Sequence, residues 1–202
     1  MTIDMLEVFD LIGTVAFAVL GAQTGVERRM DLFGVLLLAV MTAVGGGIVR
    51  DVVVANTPPM AFRNPLYVAV SLASAIVAII ARRSLSRFST TILVCDAIGL
   101  GAFAATGADM AADLGHNNLL TVSFLAVVTA VGGGVLRDLC IRRVPGVLYK
   151  EIYATAALAG AAAYYLAYPH LGSNASLYIC FIVTTVLRLL ALRYRWTLPT
   201  AK

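Results

Sequence analysis

The stretch Thr42-Ala-Val-Gly-Gly-Gly-Ile-Val-Arg-Asp51 occurs a second time as Thr129-Ala-Val-Gly-Gly-Gly-Val-Leu-Arg-Asp138, with eight of ten positions identical at an offset of 87. Upstream of each copy lies a second matched pair. Asp10-Leu-Ile-Gly-Thr-Val-Ala-Phe-Ala18 aligns with Asp96-Ala-Ile-Gly-Leu-Gly-Ala-Phe-Ala104, with six of nine positions identical at an offset of 86. Pro58 and Pro145 follow the two Arg-Asp pairs at the larger offset. Two matches in register are an internal duplication.

Around these motifs the chain is apolar. Of 202 residues, 60% are hydrophobic and 13% charged, and the mean hydropathy is +0.91. Soluble domains run nearer 45–50% apolar and about 25% charged. A spanning helix needs roughly 20 apolar residues, and the sequence offers seven candidates. They are approximately 9–26, 32–54, 65–81, 91–108, 119–140, 151–168 and 177–192. Helix is the expected form, because lipid provides no partners for backbone N–H and C=O groups. Each repeat holds three spans, an odd number, so the second copy enters the membrane from the opposite side. The expected fold is an all-α polytopic membrane protein. Two inverted three-helix repeats occupy 1–89 and 90–170, and 171–202 supplies a seventh helix and a basic tail. Inverted repeats are an architecture of transport proteins.

The net charge of +4 does not point to nucleic acid, since the basic residues cluster between apolar segments. Arg28, Arg29, Arg82, Arg83, Arg87, Arg142, Arg143, Lys150, Arg193, Arg195 and Lys202 fall on one side of the predicted topology and Arg63 alone on the other. The positive-inside rule then predicts an outer N-terminus and a cytoplasmic C-terminus. Asp4 and Glu7 stand where a signal peptide has its basic region, so the first span is expected to be retained. Cys95, Cys140 and Cys180 carry no metal or disulfide spacing and read as small apolar fillers. His116 and His170 are too far apart in sequence to suggest a metal site.

Three glycines in a row inside a span admit two readings. Each glycine weakens a helix by about 1 kcal/mol against alanine, and a triplet marks the weakest turn. Gly45, Gly46, Gly47 and Gly132, Gly133, Gly134 can break the second and fifth helices and free carbonyls for a cation or small solute. Alternatively they permit very close helix crossing. Close crossing is usually met by small residues one turn apart, so the triplet favours the break. Thr42 and Thr129, one turn earlier, are then the preferred lining residues. Thr14, Gln23, Thr106 and Ser123 are the other polar candidates, although serine and threonine also bond to the preceding turn.

Arg50, Asp51, Arg137 and Asp138 are charges inside spans, which by default mark a pathway, gate or structural pairing. Snorkelling to the nearest interface is the alternative. Adjacent residues point about 100° apart on a helix, so neither pair need be an internal ion pair. Asp10 and Asp96 open the first and fourth spans. They read as helix N-caps or as cation-attracting residues at the two mouths. The tyrosines and Trp196 of the last third read as an interfacial belt. No constellation for an enzyme is present.

With the duplicated Gly-Gly-Gly-x-x-Arg-Asp and a proline seven residues after each Asp, the whole chain resembles the prokaryotic trimeric intracellular cation (TRIC) channel family. That family also carries the label "glycine transporter". The resemblance implies a homotrimer in a prokaryotic plasma membrane, with a hydrophilic pore in each protomer conducting potassium. It implies kinked second and fifth helices at the two triplets, with membrane lipids, a bound phospholipid among them, beside them. It implies no cofactor beyond the permeant potassium ion. The phosphoinositide motif of animal members is not intact here, so that regulation is not carried over. The alternative is a carrier for a small solute such as glycine, working by alternating access. A third is an assembly protein in which the glycines serve packing alone.

Overall fold

The computed structural model describes residues 5–81, 89–115, 118–149 and 152–198. Arg82, Arg83, Arg87, His116, Lys150 and Lys202 lie outside them. The described chain is helical: α1 Met5–Glu27, α2 Leu32–Val53, the single turn α3 Met60–Arg63, α4 Leu66–Ile80, α5 Ser89–Asp113, α6 Leu119–Cys140 and α7 Ala154–Tyr194. Five of these helices are long and apolar enough to cross a membrane, and α4 is a shorter apolar one.

The surface is inverted relative to a soluble protein. Leu32, Phe33, Ile80 and Leu120 are among the large apolar side chains left exposed, whereas Asp10, Arg50, Asp51, Asp109, Asp138 and Arg188 are buried. Much of the core is alanine, which lets helices approach to short axial distances.

Local chemistry repeats with the sequence. Asp31 caps α2 by accepting the Gly34 N–H at 2.7 Å, and Asn118 caps α6 by accepting the Thr121 N–H at 2.9 Å. Each satisfies one orphan donor of a first turn. The duplicated helices α1 and α5 run antiparallel: Phe17 of α1 covers Gly99 of α5, and Phe103 of α5 covers Gly13 of α1. Gly21 of α1 abuts Thr42 and Leu38 of α2, and Gly107 of α5 abuts Thr129 and Leu125 of α6. Equivalent contacts made by antiparallel partners are the signature of an inverted repeat.

The expected sixth and seventh spans are two arms of α7. Gly172 has φ 73° and ψ 179°, and Pro169 lies one turn before it. That φ/ψ region belongs essentially to glycine, and proline removes a backbone donor. The chain therefore reverses at one residue, where the sequence suggested a longer loop. The arms 154–171 and 173–194 pack antiparallel, with Gly160 lying directly against Thr184. Cys180 is buried as expected of a filler, but Cys140 is exposed and belongs to no core.

Candidate functional site: two buried acid–arginine clusters

The glycine triplets are helical throughout, within unbroken α2 and α6. The expected unwinding, with carbonyls released to a permeant ion, is not found. The glycines instead allow two backbones to touch. A Cβ on Gly46 would strike the Thr129 carbonyl oxygen, and one on Gly133 would strike the Thr42 carbonyl oxygen. A Cβ on Gly132 would lie 3.0 Å from the Cα of Gly46. Gly47 and Gly134 face the arginines one turn on, where an added Cβ would lie 3.8 and 4.0 Å from a guanidinium nitrogen. Each triplet thus divides its work: the middle glycine makes the crossing, the third leaves room for charge.

Thr42 and Thr129 donate to the carbonyls of Leu38 and Leu125, each at 2.6 Å, and both are buried against glycines of α1 and α5. They are packing residues here and line none of the three cavities described below. Thr14 also bonds to its preceding turn, donating to the Asp10 carbonyl at 2.7 Å, yet it borders a cavity.

The first cluster joins α1, α2, α3 and α4. Arg50 Nε donates to Asp51 Oδ1 at 2.9 Å, and its Nη1 lies 3.6 Å from Asp10 Oδ1. Arg50 and Asp51 are 2% and 1% exposed, which rules out snorkelling for this arginine. The neighbours do form an internal pair, because a carboxylate one residue on can fold back to the guanidinium stem. Asp10 does not cap α1. The helix begins at Met5, so Asp10 lies inside it, facing Arg50. Asp51 Oδ2 accepts the Met60 N–H at 2.7 Å. A small cavity of about 20 Å³ touches Asp10, Thr14, Gly47, Arg50, Tyr67 and Phe103.

The second cluster lies at the opposite end of the antiparallel bundle. Arg137 binds Asp138 Oδ1 through Nε and Nη2, at 3.0 and 2.8 Å. Asp138 Oδ2 accepts the Gly146 N–H at 2.9 Å. In both copies the N–H that reaches the aspartate directly follows a proline: Gly146 follows the motif proline Pro145, whereas Met60 follows Pro59, one residue beyond the motif proline Pro58. Asp96, like Asp10, lies inside its helix. It does not meet Arg137. Tyr153 donates to its Oδ1 at 3.0 Å, and Arg188 of the second arm of α7 approaches its Oδ2 at 3.4 Å. Arg137 is more open than Arg50, with its side chain 21% exposed. Two adjoining cavities, about 80 and 300 Å³, share Asp96, Arg137, Asp138, Arg143 and Arg188 in their walls.

Tyr67, Arg188 and Asp109 were not singled out in the sequence, and Tyr153, read there as one of the interfacial belt, instead bonds to Asp96 within the second cluster. Tyr67 and Tyr153 each open the third helix of a repeat, at an offset of 86, a signal that an alignment extended past the prolines would have raised. Arg188 is a charge within an apolar span and could have been flagged on that ground. Asp109 is another: it is buried and accepts from Tyr164 and Ser173. Among the described residues no cluster of three or more His, Cys, Asp or Glu suited to a metal ion occurs.

Comparison with known proteins gives a consistent result. A profile of the family described as Glycine transporter matches residues 7–83 and again 93–169. The UPF0126 inner membrane protein YadS of Escherichia coli strain K12 is 38% identical over 196 residues, covering 95% of this chain and 93% of its own. The UPF0126 membrane protein of Deinococcus radiodurans is 45% identical over 163 residues, 80% of this chain and 75% of its own. Among solved structures, a TRIC cation channel solved to explain conductance superposes with a TM-score of 0.90 at 38% identity, covering 98% of each chain. A prokaryotic TRIC channel crystallised in 0.5 M KCl gives 0.89 at 35% identity, covering 96% of this chain and 98% of its own. The TRIC trimeric intracellular cation channel orthologue from Rhodobacter sphaeroides gives 0.86 at 34% identity, covering 94% and 98%. The chain belongs to the prokaryotic trimeric intracellular cation (TRIC) channel family.

Proposed function

We propose that this membrane protein is a cation channel that conducts potassium through a path within each protomer, assembled as a homotrimer in a bacterial inner membrane. The observation that carries the reading is the pair of buried acid–arginine clusters at opposite ends of one helix crossing, in a chain that superposes on TRIC cation channels. Buried charge in a membrane is costly, and its usual reason is a pathway. The path runs from the cavity at Asp10 and Arg50, past the Phe17–Phe103 contact beside the α2–α6 crossing, to the cavities at Asp96 and Arg137. On the positive-inside orientation the first cluster is outer and the second cytoplasmic.

In this conformation the path is narrow at its centre, so the arginines act in gating and the aspartates attract the ion. A carrier for a small solute such as glycine is the second reading, supported by the inverted repeat and by the family's description. Purified protein in a planar bilayer under a potassium gradient separates the two. Discrete current steps reversing near the potassium equilibrium potential support the channel. No steps, together with saturable glycine uptake into liposomes, would replace it with the carrier.

A further inference from the structure

The two clusters are related by the repeat but are not wired alike. In the first, one arginine serves both acids: Arg50 lies at Asp51 and at Asp10. In the second, Arg137 is turned wholly onto Asp138. Asp96 takes its positive partner from Arg188 instead. Arg188 sits in the arm 173–194, which has no counterpart in the first repeat, so this pairing was not inherited through the duplication.

What Arg188 touches is informative. Its Nε and Nη2 both lie 3.4 Å from Asp96 Oδ2, and its Nη1 lies 3.4 Å from the Ile152 carbonyl oxygen. Its guanidinium carbon stands 4.8 Å over the Tyr153 ring. A carboxylate, a main-chain carbonyl and the face of a phenol are three groups that bind a monovalent cation. Charge-assisted N–H···O bonds run about 2.7–2.9 Å, so each polar contact here is long. The neighbouring Arg137–Asp138 contact, at 2.8 Å, is not. The guanidinium therefore occupies a cation-binding position without binding it tightly, and it borders a cavity of about 80 Å³ into which it can turn. That space accommodates several waters.

Resting on the channel reading, we propose that Asp96, the Ile152 carbonyl and the Tyr153 ring form a monovalent-cation site at the second-repeat mouth, and that Arg188 is an intramolecular competitor for it. With Arg188 seated, Asp96 and Asp138 are each paired with an arginine, Arg143 adds a further positive charge in the cavity wall, and no cation is drawn in. With Arg188 turned into the cavity, the carboxylate is open to the 300 Å³ vestibule. The non-repeated arm thereby gives one mouth a control that the other lacks.

The test is potassium current in planar bilayers from the full-length protein, comparing the parent with Arg188→Gln, Asp96→Asn and the double variant. Release of a loose ion pair predicts a current about fivefold above the parent for Arg188→Gln. Asp96→Asn should fall below the parent, and the double variant should stay as low as Asp96→Asn. A pair that serves only to hold α7 against α5 predicts a different pattern, in which both single variants lose current and the double recovers part of it. That pattern overturns the proposal, as does an unchanged or reduced current from Arg188→Gln in protein that elutes as the parent does. If Arg188→Gln does not assemble, Arg188→Lys decides. Its compact ammonium cannot span Asp96 and Ile152 together, so a smaller increase is expected, and no increase overturns the proposal. A parent that carries no potassium current removes the channel reading itself, a separate outcome.

Discussion

Gly133 of α6 lies against the carbonyl oxygen of Thr42 of α2, so closely that no Cβ fits between them, and Gly46 repeats the contact against Thr129. The backbone is the obstacle in both cases, and it cannot rotate away as a side chain could. Ala at Gly46 or Gly133 forces the two helices apart along their whole crossing. Overpacking typically costs about 1–3 kcal/mol, and a clash with backbone belongs at the upper end. Gly47 and Gly134 make the internal control. Their added methyl groups meet only side-chain tips near 4 Å, that of Arg50 at Gly47 and those of Arg137 and Tyr153 at Gly134, and alanine is the better helix former. Thermal unfolding in detergent should show Gly46→Ala and Gly133→Ala well below the parent and Gly47→Ala and Gly134→Ala at or above it. Equal losses at all four positions would mean that the crossing is not what the triplets are for.

Arg50 and Arg137 answer the same motif but stand in different surroundings. Arg50 is sealed between two aspartates, and removing it leaves two buried carboxylates without a counter-charge. Breaking a buried pair from one side costs about 3–5 kcal/mol. Arg137 faces a vestibule and leaves an aspartate that still holds the Gly146 N–H. Arg50→Ala should therefore yield little folded protein, whereas Arg137→Ala should assemble and show an altered potassium current. Size-exclusion yield followed by bilayer recording checks both halves.

The topology was legible because the duplication is written in residues that permit little choice. A glycine at a backbone contact and an aspartate capping a following turn survive in both copies, so Gly-Gly-Gly-x-x-Arg-Asp and its proline declared the inverted repeat. The work of those glycines was not legible. Whether a triplet unwinds or permits a crossing depends on what faces it, and α6 is remote in sequence from α2. The same limit hid Arg188. Spacing on one helix cannot reveal that Asp96 is served by a residue 92 positions away. Asp10 and Asp96 looked like caps because the spans were drawn from apolar residues, while the helices start earlier, at Met5 and Ser89.

Asp109 fixes the hinge of α7. Tyr164 of the first arm and Ser173, the residue after the Gly172 reversal, both donate to its Oδ1. Together with Asp96 at Arg188, this fastens the second arm to α5 near both ends. Acceptance by a single oxygen is what the cluster requires, and an amide carbonyl offers that as well as a carboxylate does. Asp109→Asn should unfold close to the parent. Asp109→Leu leaves a buried tyrosine hydroxyl and a serine hydroxyl without an acceptor, at about 1–3 kcal/mol each. A thermal-shift series across Asn, Leu and the milder Ser173→Ala reads this directly. Parity between Asn and Leu would show that the hydroxyls find water instead.

Phe17 and Phe103 meet edge to face with ring centroids 5.2 Å apart, each covering the other repeat's glycine. They are 1% and 3% exposed and lie between the two clusters. An apolar constriction excludes a hydrated cation by dewetting, so on the channel reading this pair is the narrowest point of the path in this conformation. Trimming Phe103 to leucine shortens the obstruction while keeping an apolar lining. Phe103→Leu should raise open probability or unitary potassium current, and Phe17→Leu should do the same, because the repeat places both rings at the same constriction. Stability falls with each, since a large buried ring is lost. Currents must therefore be read per folded channel, as single-channel records. Two unaltered single-channel conductances and open probabilities would place the ion's route elsewhere and leave the aromatic pair as core packing.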